Sequence, residues 1–591
     1  MASLSATFPG ARRSGQRGDL WRNVLLAVVA LFVVLPVGFL ILGSFSLAKL
    51  PTDLDLTRLG INNYVEVWLR QNVHIVFYNT MVYVTGATVV GVGFAALLAW
   101  LVERTNMPGK IWIYAGVPLT LAVPGLLQAI AWVLLLSPQA GFFNRWLMST
   151  FELSTAPFNI KSMGGMIFVE GLRLVPTAFL MLIPLLRSMD PSLEEAAAVS
   201  GARPLSMLRR ITIGLMAPGL FAVTIYQAMT ALEVFEVPGV LGIPANIHVF
   251  STRVYSIIEN IATVPAFGQA NALAMIYLLI AVVASYFYFR LINRSERYAV
   301  VTGKAYRPRV VDLGRWRVPM LLFALVFLFL SIVLPYMVLL YASLVGFLSQ
   351  PSIAAFKSFS FNHYIEVIEY GRFQDTLRNT IEMVVGTASV VTVMSFLVSL
   401  VVVRSRFWGR KLLDQLAFMP HAIPGIVMGL AFLWLFLETD HLFGTRLFGT
   451  VTSIVIGFSV LFLAYGTRAM NAAILQLHKD LEEASATSGA PPWRTMMRIF
   501  VPLMMPTFIG VWVYVVLLSV RLAGLPLMLF EGRDNGVLAV LIWYLWDEGN
   551  IEAVAAIGVM LMSVLFVLIL LLRLVGFGRD LAQTGAQTGS R

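Results

Sequence analysis

Residues 193–218 read LEEAAAVSGARPLSMLRRITIGLMAP, and residues 481–506 read LEEASATSGAPPWRTMMRIFVPLMMP. The two stretches lie 288 positions apart, and 14 of their 26 positions are identical without a gap. A second set of matches occurs at an offset of 300, where NNYVEV (62–67) recurs as NHYIEV (362–367). Matches of this length within one chain indicate an internal duplication.

Further short matches at the offset of 300 lie between these two stretches of the first half. The change from 300 to 288 predicts that the loop between the third and fourth hydrophobic stretches is longer in the first half. The matched positions are Asn79-Thr80 with Asn379-Thr380, Gly86 with Gly386, Arg104 with Arg404, Gly109 with Gly409, and Pro124-Gly125 with Pro424-Gly425.

Each long copy predicts a helix, a glycine stop and a second short helix. A capping box favours a helix start, and a glycine in the left-handed region is typical of a helix end. The alanine face that follows the two glutamates is small enough for another protein to pack against it closely. The elements fall at Ser192, Glu195, Gly201 and Pro204 in the first copy, and at Asp480, Glu483, Gly489 and Pro492 in the second.

The composition indicates a membrane protein. Of the 591 residues, 59% are hydrophobic and only 12% are charged, against about 25% charged residues in a soluble domain. The mean hydropathy is +0.82. These values exclude a soluble enzyme, and they exclude a nucleic-acid-binding protein despite the net charge of +11. The chain has no cysteine, which excludes disulfides and cysteine–metal clusters.

Twelve apolar stretches reach the length of about 20 residues that a membrane-crossing helix needs. The first is too long for a signal peptide and lacks a small-residue cleavage site, so we expect it to be retained. The predicted spans are 22–44, 76–102, 111–137, 163–186, 213–235 and 268–292 in the first half, and 317–343, 379–403, 412–437, 450–470, 501–523 and 553–575 in the second.

The distribution of Lys and Arg predicts the orientation, because cytoplasmic loops are enriched in these residues. With the N-terminus in the cytoplasm, most of the 42 basic residues fall on the cytoplasmic side. We therefore expect both termini in the cytoplasm. The segment 290–317 lies between the halves and is predicted to contain a basic cytoplasmic linker. Its eight basic residues are Arg290, Arg294, Arg297, Lys304, Arg307, Arg309, Arg315 and Arg317.

The predicted fold is an all-α integral membrane protein with about twelve transmembrane helices in two tandem six-helix domains. An even number of spans in each half makes the repeat parallel, with a pseudo-two-fold axis along the membrane normal and a pathway between the halves. The predicted parts are a first domain (1–292) with the repeated segment at 190–212, a linker (293–316), a second domain (317–576) with the segment at 478–500, and a tail (577–591).

Charged residues within spans are costly and indicate function. Glu233 and Glu236 lie near the end of the fifth span, and the offset of 288 places Glu233 opposite Arg521. We hypothesise that these residues face the pathway and that Glu233 and Arg521 pair as part of an outer gate. Two alternatives are a pair that only fixes packing, and two side chains that reach the interface separately. Glu170, Arg173 and Glu382 are expected at solvated rims.

The repeated segment resembles the EAA motif of binding-protein-dependent ABC importer permeases, with Ser485 replacing one alanine and Gly214 standing where the second copy has Pro502. In that family the motif forms the coupling helix that docks on the ATPase. The resemblance covers nearly the whole chain and implies a type I ABC importer-like fold. The matching coupling residues are Glu194, Glu195, Ala196, Ala197 and Gly201, with Glu482, Glu483, Ala484 and Gly489 in the second copy.

A closer resemblance is to fused, two-domain permeases of the ferric iron type, carried by YAVVTGKAYRPR (298–309) and VLAVLIWYLWDEGNIEAVAAIGV (537–559). It implies import of a small solute, with ferric iron as the first expectation. Relatives that carry 2-aminoethylphosphonate, thiamine or polyamines leave those substrates open. It also implies location in a bacterial inner membrane, two copies of a cytoplasmic ATP-binding subunit, and an extracytoplasmic solute-binding protein.

The chain has no G-x-x-x-x-G-K-[ST] sequence, so ATP and Mg²⁺ are expected on the partner ATPase, and no catalytic residue or cofactor is expected here. The six histidines have no metal-ligand spacing, and no metal site is expected. The main alternative class is a secondary transporter with two parallel six-span halves, and a channel or scaffold is a third. Duplicated cytoplasmic docking segments argue against both.

Overall fold

The computed structural model describes residues 11–48, 50–51, 57–70, 72–187, 199–201, 213–259, 266–295 and 310–572. These parts of the chain are helical, and their only β-type pairings are two isolated bridges. Most of the predicted linker and of the first repeated segment lies outside the described residues, as do Glu194, Glu195, Ala196 and Ala197.

The first half contains eleven described α-helices, of which several are short connecting helices. They are α1 (Ala11–Phe45), α2 (Asn62–Arg70), α3 (Val73–Arg104), α4 (Lys110–Leu119), α5 (Gly125–Leu136), α6 (Phe142–Phe151), α7 (Met163–Arg187), α8 (Ile213–Glu233), α9 (Glu236–Gly242), α10 (Phe250–Ile258) and α11 (Phe267–Ser295).

The second half repeats this order. Its described helices are α12 (Arg317–Leu328), α13 (Leu334–Leu344), α14 (Ile353–Lys357), α15 (Asn362–Glu369), α16 (Gly371–Arg404), α17 (Arg410–Phe418), α18 (Gly425–Phe443), α19 (Val451–Gln476), α20 (Asp480–Thr487), α21 (Pro492–Thr495), α22 (Val501–Arg521), α23 (Gly524–Leu529), α24 (Leu538–Asp547) and α25 (Ile551–Leu572).

The helix boundaries keep the register of the repeat. α7 and α19 begin 288 residues apart, as do α9 and α23, and α10 and α24. α6 occupies the loop that the change of offset predicts to be longer in the first half, and no described helix stands at its place in the second half. The duplication is therefore structural as well as sequential.

Eleven helices of the described chain are long and apolar enough to cross a membrane, against the twelve spans expected. The third predicted span is instead a pair of helices, Lys110–Ala122 and Gly125–Leu136, bent by 96°. The ninth is also interrupted, so that its apolar helix begins at Gly425. The cause is the repeated Pro-Gly pair, because a residue before proline is held extended, as Val123 and Ile423 are.

Small residues bring the long helices of each half close together. A Cβ atom on Gly86 of α3 would lie 2.5 Å from Ile167 of α7. At the equivalent place in the second half, a Cβ on Gly386 would lie 3.3 Å from Val455. Without a hydrophobic driving force between helices in lipid, such close packing supplies much of their association.

The first span of each half packs against the other half. α1 contacts α17 and α18, and α13 contacts α5. The two inner helices that follow the Pro-Gly breaks, α5 and α18, are buried over most of their lengths. The exchange of first spans therefore encloses the centre of the molecule and binds the halves together.

The repeated Asn-Thr pair anchors the loop that follows the short helix α9 or α23. The hydroxyl of Thr80 accepts a hydrogen bond from the Phe250 amide at 3.1 Å, and that of Thr380 accepts one from the Leu538 amide at 2.9 Å. The Asn379 amide donates to the carbonyl oxygens of residues 534 and 536, both at 3.1 Å.

We expect the Asn379→Ala variant to loosen residues 533–536. Each lost hydrogen bond contributes about 1 kcal/mol, so amide hydrogen exchange in this loop should accelerate roughly tenfold or more. The matched control is Asn79→Ala, which removes a single bond of 3.2 Å to the His248 carbonyl and should have a smaller effect on its own loop. Equal exchange in wild type and Asn379→Ala would contradict this role.

Candidate functional site

The second repeated segment forms a short helix that ends at a glycine. The Ala490 amide donates to the Ser485 carbonyl at 3.1 Å, and the Gly489 amide donates to the Ala486 carbonyl at 3.0 Å. This pattern is a Schellman motif, which needs a left-handed residue at the position of Gly489. Gly489 has φ +76°, and Gly201 in the first copy has φ +80°. The predicted glycine stop is therefore present in the second copy, and Gly201 has the same left-handed conformation in the first.

The predicted capping box at Asp480 is not formed. α20 begins at Asp480 itself, and the preceding Lys479 makes no side-chain capping bond. Asp480 instead lies in the first turn beside Glu482 and Glu483, where negative charge favours the helix dipole. The sequence pattern therefore places the helix start one residue too late, and the same acidic residues act through their charge. The equivalent Ser192 lies outside the described residues.

The two glutamates of this segment have different surroundings. Glu482 Oε1 lies 3.3 Å from Arg404 Nε, so this side chain is held by its own chain. Glu483, Ala484 and Gly489 are exposed. Ser485, which replaces the usual alanine, is buried and its hydroxyl lies 2.6 Å from that of Thr495. The serine that departs from the motif thus connects α20 to α21 through a side-chain hydrogen bond.

The repeated arginines support the helix that leads into this segment. Arg104 Nη2 donates to the Leu186 carbonyl at 2.8 Å, and Arg404 Nη2 donates to the Ile474 carbonyl at 2.9 Å. Leu186 and Ile474 are equivalent at the offset of 288. Arg404 also donates to the Leu477 carbonyl. Both halves thus satisfy the last carbonyl groups of α7 or α19 with an arginine from the neighbouring long helix.

A cavity of about 100 Å³ lies between the two halves. It is lined by both members of several equivalent pairs, including Tyr226 with Tyr514, Glu233 with Arg521, and Thr177 with Tyr465. Residues related by a two-fold axis can border one cavity only when the cavity lies on that axis. We therefore name it the axial cavity.

Glu170 and Arg173 form a buried ion pair at this cavity, which corrects the expectation of a solvated rim. Glu170 is 0% exposed and accepts two hydrogen bonds of 2.8 and 2.9 Å from the Arg173 guanidinium. Arg173 lines the axial cavity. Glu382, in contrast, is exposed and pairs with Arg378. The error arose because position along the span does not reveal which face of the helix is covered.

Glu233, Glu236 and Arg521 all line the axial cavity. The predicted pair of Glu233 and Arg521 is not formed, and Arg521 Nε has no hydrogen-bond partner among the described residues. The contact between halves is made by Glu236, whose Oε1 accepts a 2.9 Å hydrogen bond from the Ala523 amide. Glu236 is 2% exposed. The structure thus brings the three residues to one cavity, but the hydrogen bond forms between Glu236 and the Ala523 amide and not between Glu233 and Arg521.

Aromatic residues close the cavity at the end of the bundle opposite α20. Trp543 Nε1 donates to the Tyr255 hydroxyl at 3.0 Å, and these two residues are equivalent at the offset of 288. The Phe235 ring packs on both, with centroid distances of 5.0 and 4.9 Å. Equivalent residues that touch lie on the pseudo-two-fold axis, so this cluster covers the axial cavity.

Four further cavity residues were not identified in the sequence. They are Tyr226, His421, Tyr465 and Tyr514. One signal was available, because Tyr226 and Tyr514 match at the offset of 288, seven residues before Glu233 and Arg521. Within the described part of the chain, no cluster of three His, Cys, Asp or Glu residues could hold a metal ion.

Known proteins resemble this chain along most of its length. Residues 391–579 match the family described as "Binding-protein-dependent transport system inner membrane component". The Fe(3+)-transport system permease protein FbpB 2 of Haemophilus influenzae is 22% identical over 93% of this chain and 97% of its own. The ferric transport system permease protein FbpB of Actinobacillus pleuropneumoniae is 24% identical over 96% of this chain and 80% of its own.

Among solved structures, a chain of a bacterial ABC transporter involved in the import of alginate is 18% identical, with a TM-score of 0.37 over 44% of this chain and 94% of its own. The family match in the second half and the full-length relatives both favour an ABC importer permease over the alternative of a secondary transporter. These matches confirm the predicted resemblance of the chain to the inner membrane components of binding-protein-dependent transport systems, with relatives named as ferric transport permeases along nearly its whole length.

Proposed function

We propose that this permease imports ferric iron into a bacterial cytoplasm through the axial cavity. An extracytoplasmic binding protein delivers the ion at the end of the bundle that carries Tyr255 and Trp543. Two copies of an ATP-binding subunit bind at the α20 end and hydrolyse ATP with Mg²⁺. Both termini lie on this cytoplasmic side. The observation that carries the proposal is a cavity with charged and phenolic side chains, which lies on the axis that relates the two halves.

The α20 end has the features of a docking surface for the ATP-binding subunits. The exposed residues Glu483, Ala484 and Gly489 belong to a short helix whose other side is fixed to the chain through Glu482 and Ser485. A helix anchored in this way can transmit a displacement caused by a partner to α19 and α22. Trp21 and Arg22, in the first third of α1, border the same region, as a cytoplasmic N-terminus requires.

The arrangement of the halves supports a mechanism of alternating access. In this structure the end opposite α20 is closed by contacts across the axis, namely the Tyr255–Trp543 and Glu236–Ala523 hydrogen bonds. Separation of the halves at that end would open the axial cavity toward the binding protein. Closure of the partner ATPases on the two glycine-ended segments would supply the differential contacts that such a shift requires.

The substrate is proposed from the relatives that match nearly the whole chain, both of which are named as ferric permeases. The test is uptake into proteoliposomes that hold the chain with its ATP-binding subunit, supplied with the binding protein and radioactive iron. We expect iron uptake that depends on ATP and on the binding protein.

Parallel assays with 2-aminoethylphosphonate, thiamine and a polyamine give the competing outcomes. ATP-dependent uptake of one of these compounds, without iron uptake, would overturn the proposal of iron as the substrate and would still support the importer mechanism. Uptake of solute in the absence of any ATPase would overturn the importer mechanism.

A further inference from the structure

Three tyrosines and one glutamate converge in the axial cavity. Tyr226 belongs to α8, Tyr465 to α19 and Tyr514 to α22, and Glu233 ends α8. The Tyr465 and Tyr514 rings lie 6.1 Å apart, and His421 lies between Tyr226 and Tyr465 at centroid distances of 5.5 and 5.1 Å. Both halves thus contribute phenol groups to one small space.

These four side chains border the same space. All of them line the axial cavity, and the Tyr465 ring lies next to both His421 and Tyr514. Tyr226 and Glu233 are seven residues apart on α8, a spacing of two helical turns that places them on one face of the helix. The four oxygen-bearing side chains therefore belong to one lining and not to separate parts of the protein.

Glu233 is the carboxylate of the cavity that is available for a cation. The Arg173 guanidinium donates two hydrogen bonds to Glu170, and Glu236 accepts one from the Ala523 amide. Among the described residues no ion pair involves Glu233. An unpaired carboxylate within a membrane takes up a proton or binds a cation, because an isolated charge there is costly.

We propose that the axial cavity is a transit site for a hard cation, ligated by the Glu233 carboxylate and by phenolate oxygens of Tyr226, Tyr465 and Tyr514. This inference rests on the proposed function, in which the ion is Fe³⁺. Hard cations take oxygen ligands, and tyrosine is one of the protein ligands of iron. Each phenol that binds the ion transfers its proton to a water or hydroxide that leaves the ion.

The size of the site suits a bare or partly hydrated ion. About 100 Å³ holds several water molecules, which is room for an ion with part of its hydration shell. An oxygen-ligated site built from neutral phenols is also reversible, because release of the ion restores the protons and the uncharged state. A pathway needs such binding that is favourable enough to enter and weak enough to leave.

The test uses the purified complex of the full chain with its ATP-binding subunit, loaded with ferric nitrilotriacetate. Phenolate oxygens bound to Fe³⁺ give a visible charge-transfer absorption band, which a packing role of the tyrosines would not produce. We expect this band in wild type, no band with Ga³⁺, and at least a tenfold weaker iron affinity in Tyr465→Phe and in Glu233→Gln. The matched control is Tyr336→Phe, which removes a hydroxyl near Ser563 away from the cavity.

The triple variant Tyr226→Phe/Tyr465→Phe/Tyr514→Phe decides the origin of the band, and its size-exclusion profile and basal ATPase activity report whether it is folded. Loss of the band in a folded triple variant supports the site. A band that persists in it, or no band in wild type that transports iron, overturns the site and leaves the importer intact. A band in wild type that transports no iron overturns the proposed substrate alone.

Discussion

The double variant Gly201→Asp/Gly489→Asp is expected to lose transport-linked ATP hydrolysis at least tenfold while the membrane domain stays folded. Both glycines have positive φ values, and a Cβ atom at either would meet no atom within 4 Å. The substitution therefore costs only about 1 kcal/mol of backbone strain at each site. The added carboxylates fall on the surface proposed for docking, next to the exposed Glu483.

The measurement is ATPase activity of the reconstituted complex with and without the loaded binding protein, together with co-purification of the ATP-binding subunit. Gly314→Asp is the matched control, because Gly314 also has positive φ and open space around its Cβ position but lies outside the repeated segments. A double variant with the stimulated activity of the control would contradict the docking role.

Much of the fold can be predicted from the sequence, because the duplication provides two copies in which each predicted boundary can be compared. The offset of 288 places the starts of α7 and α19 correctly, and the two Pro-Gly pairs mark the same break in each half. The predicted twelve spans correspond to eleven continuous helices and one bent pair in the described chain, since hydropathy counts apolar residues and does not register a bend. The 96° turn at Pro124 leaves the apolar content of the third stretch unchanged.

The candidate site is less predictable from the sequence. A repeat shows which positions are equivalent, but it does not show which side chains are in contact. Glu233 and Arg521 are equivalent and line one cavity, but a two-fold axis does not require equivalent side chains to touch. Glu236 makes the contact instead, with a backbone amide that carries no sequence signal. Tyr255 and Trp543 do touch, and they differ too much in sequence to be noticed as a repeat.

The two halves have diverged most inside the membrane. At the positions equivalent to Glu170 and Arg173, the second half has Phe458 and Leu461, and all three of Arg173, Phe458 and Leu461 line the axial cavity. One wall of the cavity is thus ionic and the other apolar. A symmetric pathway has no need of this difference, whereas a single ion bound by one carboxylate does, since a second charged wall would place a second site in the same space.

This divergence provides the last prediction, which concerns the stability of the Glu170–Arg173 pair. Glu170→Phe leaves the Arg173 guanidinium buried without its partner, and we expect a loss of about 3–5 kcal/mol of unfolding free energy. Adding Arg173→Leu reproduces the Phe458 and Leu461 arrangement that the second half already accommodates, so the double variant should regain most of that loss. The measurement is denaturation of both variants in the same detergent. Equal stability of Glu170→Phe and wild type, or no recovery in the double variant, would show that the pair does not hold this wall of the cavity together.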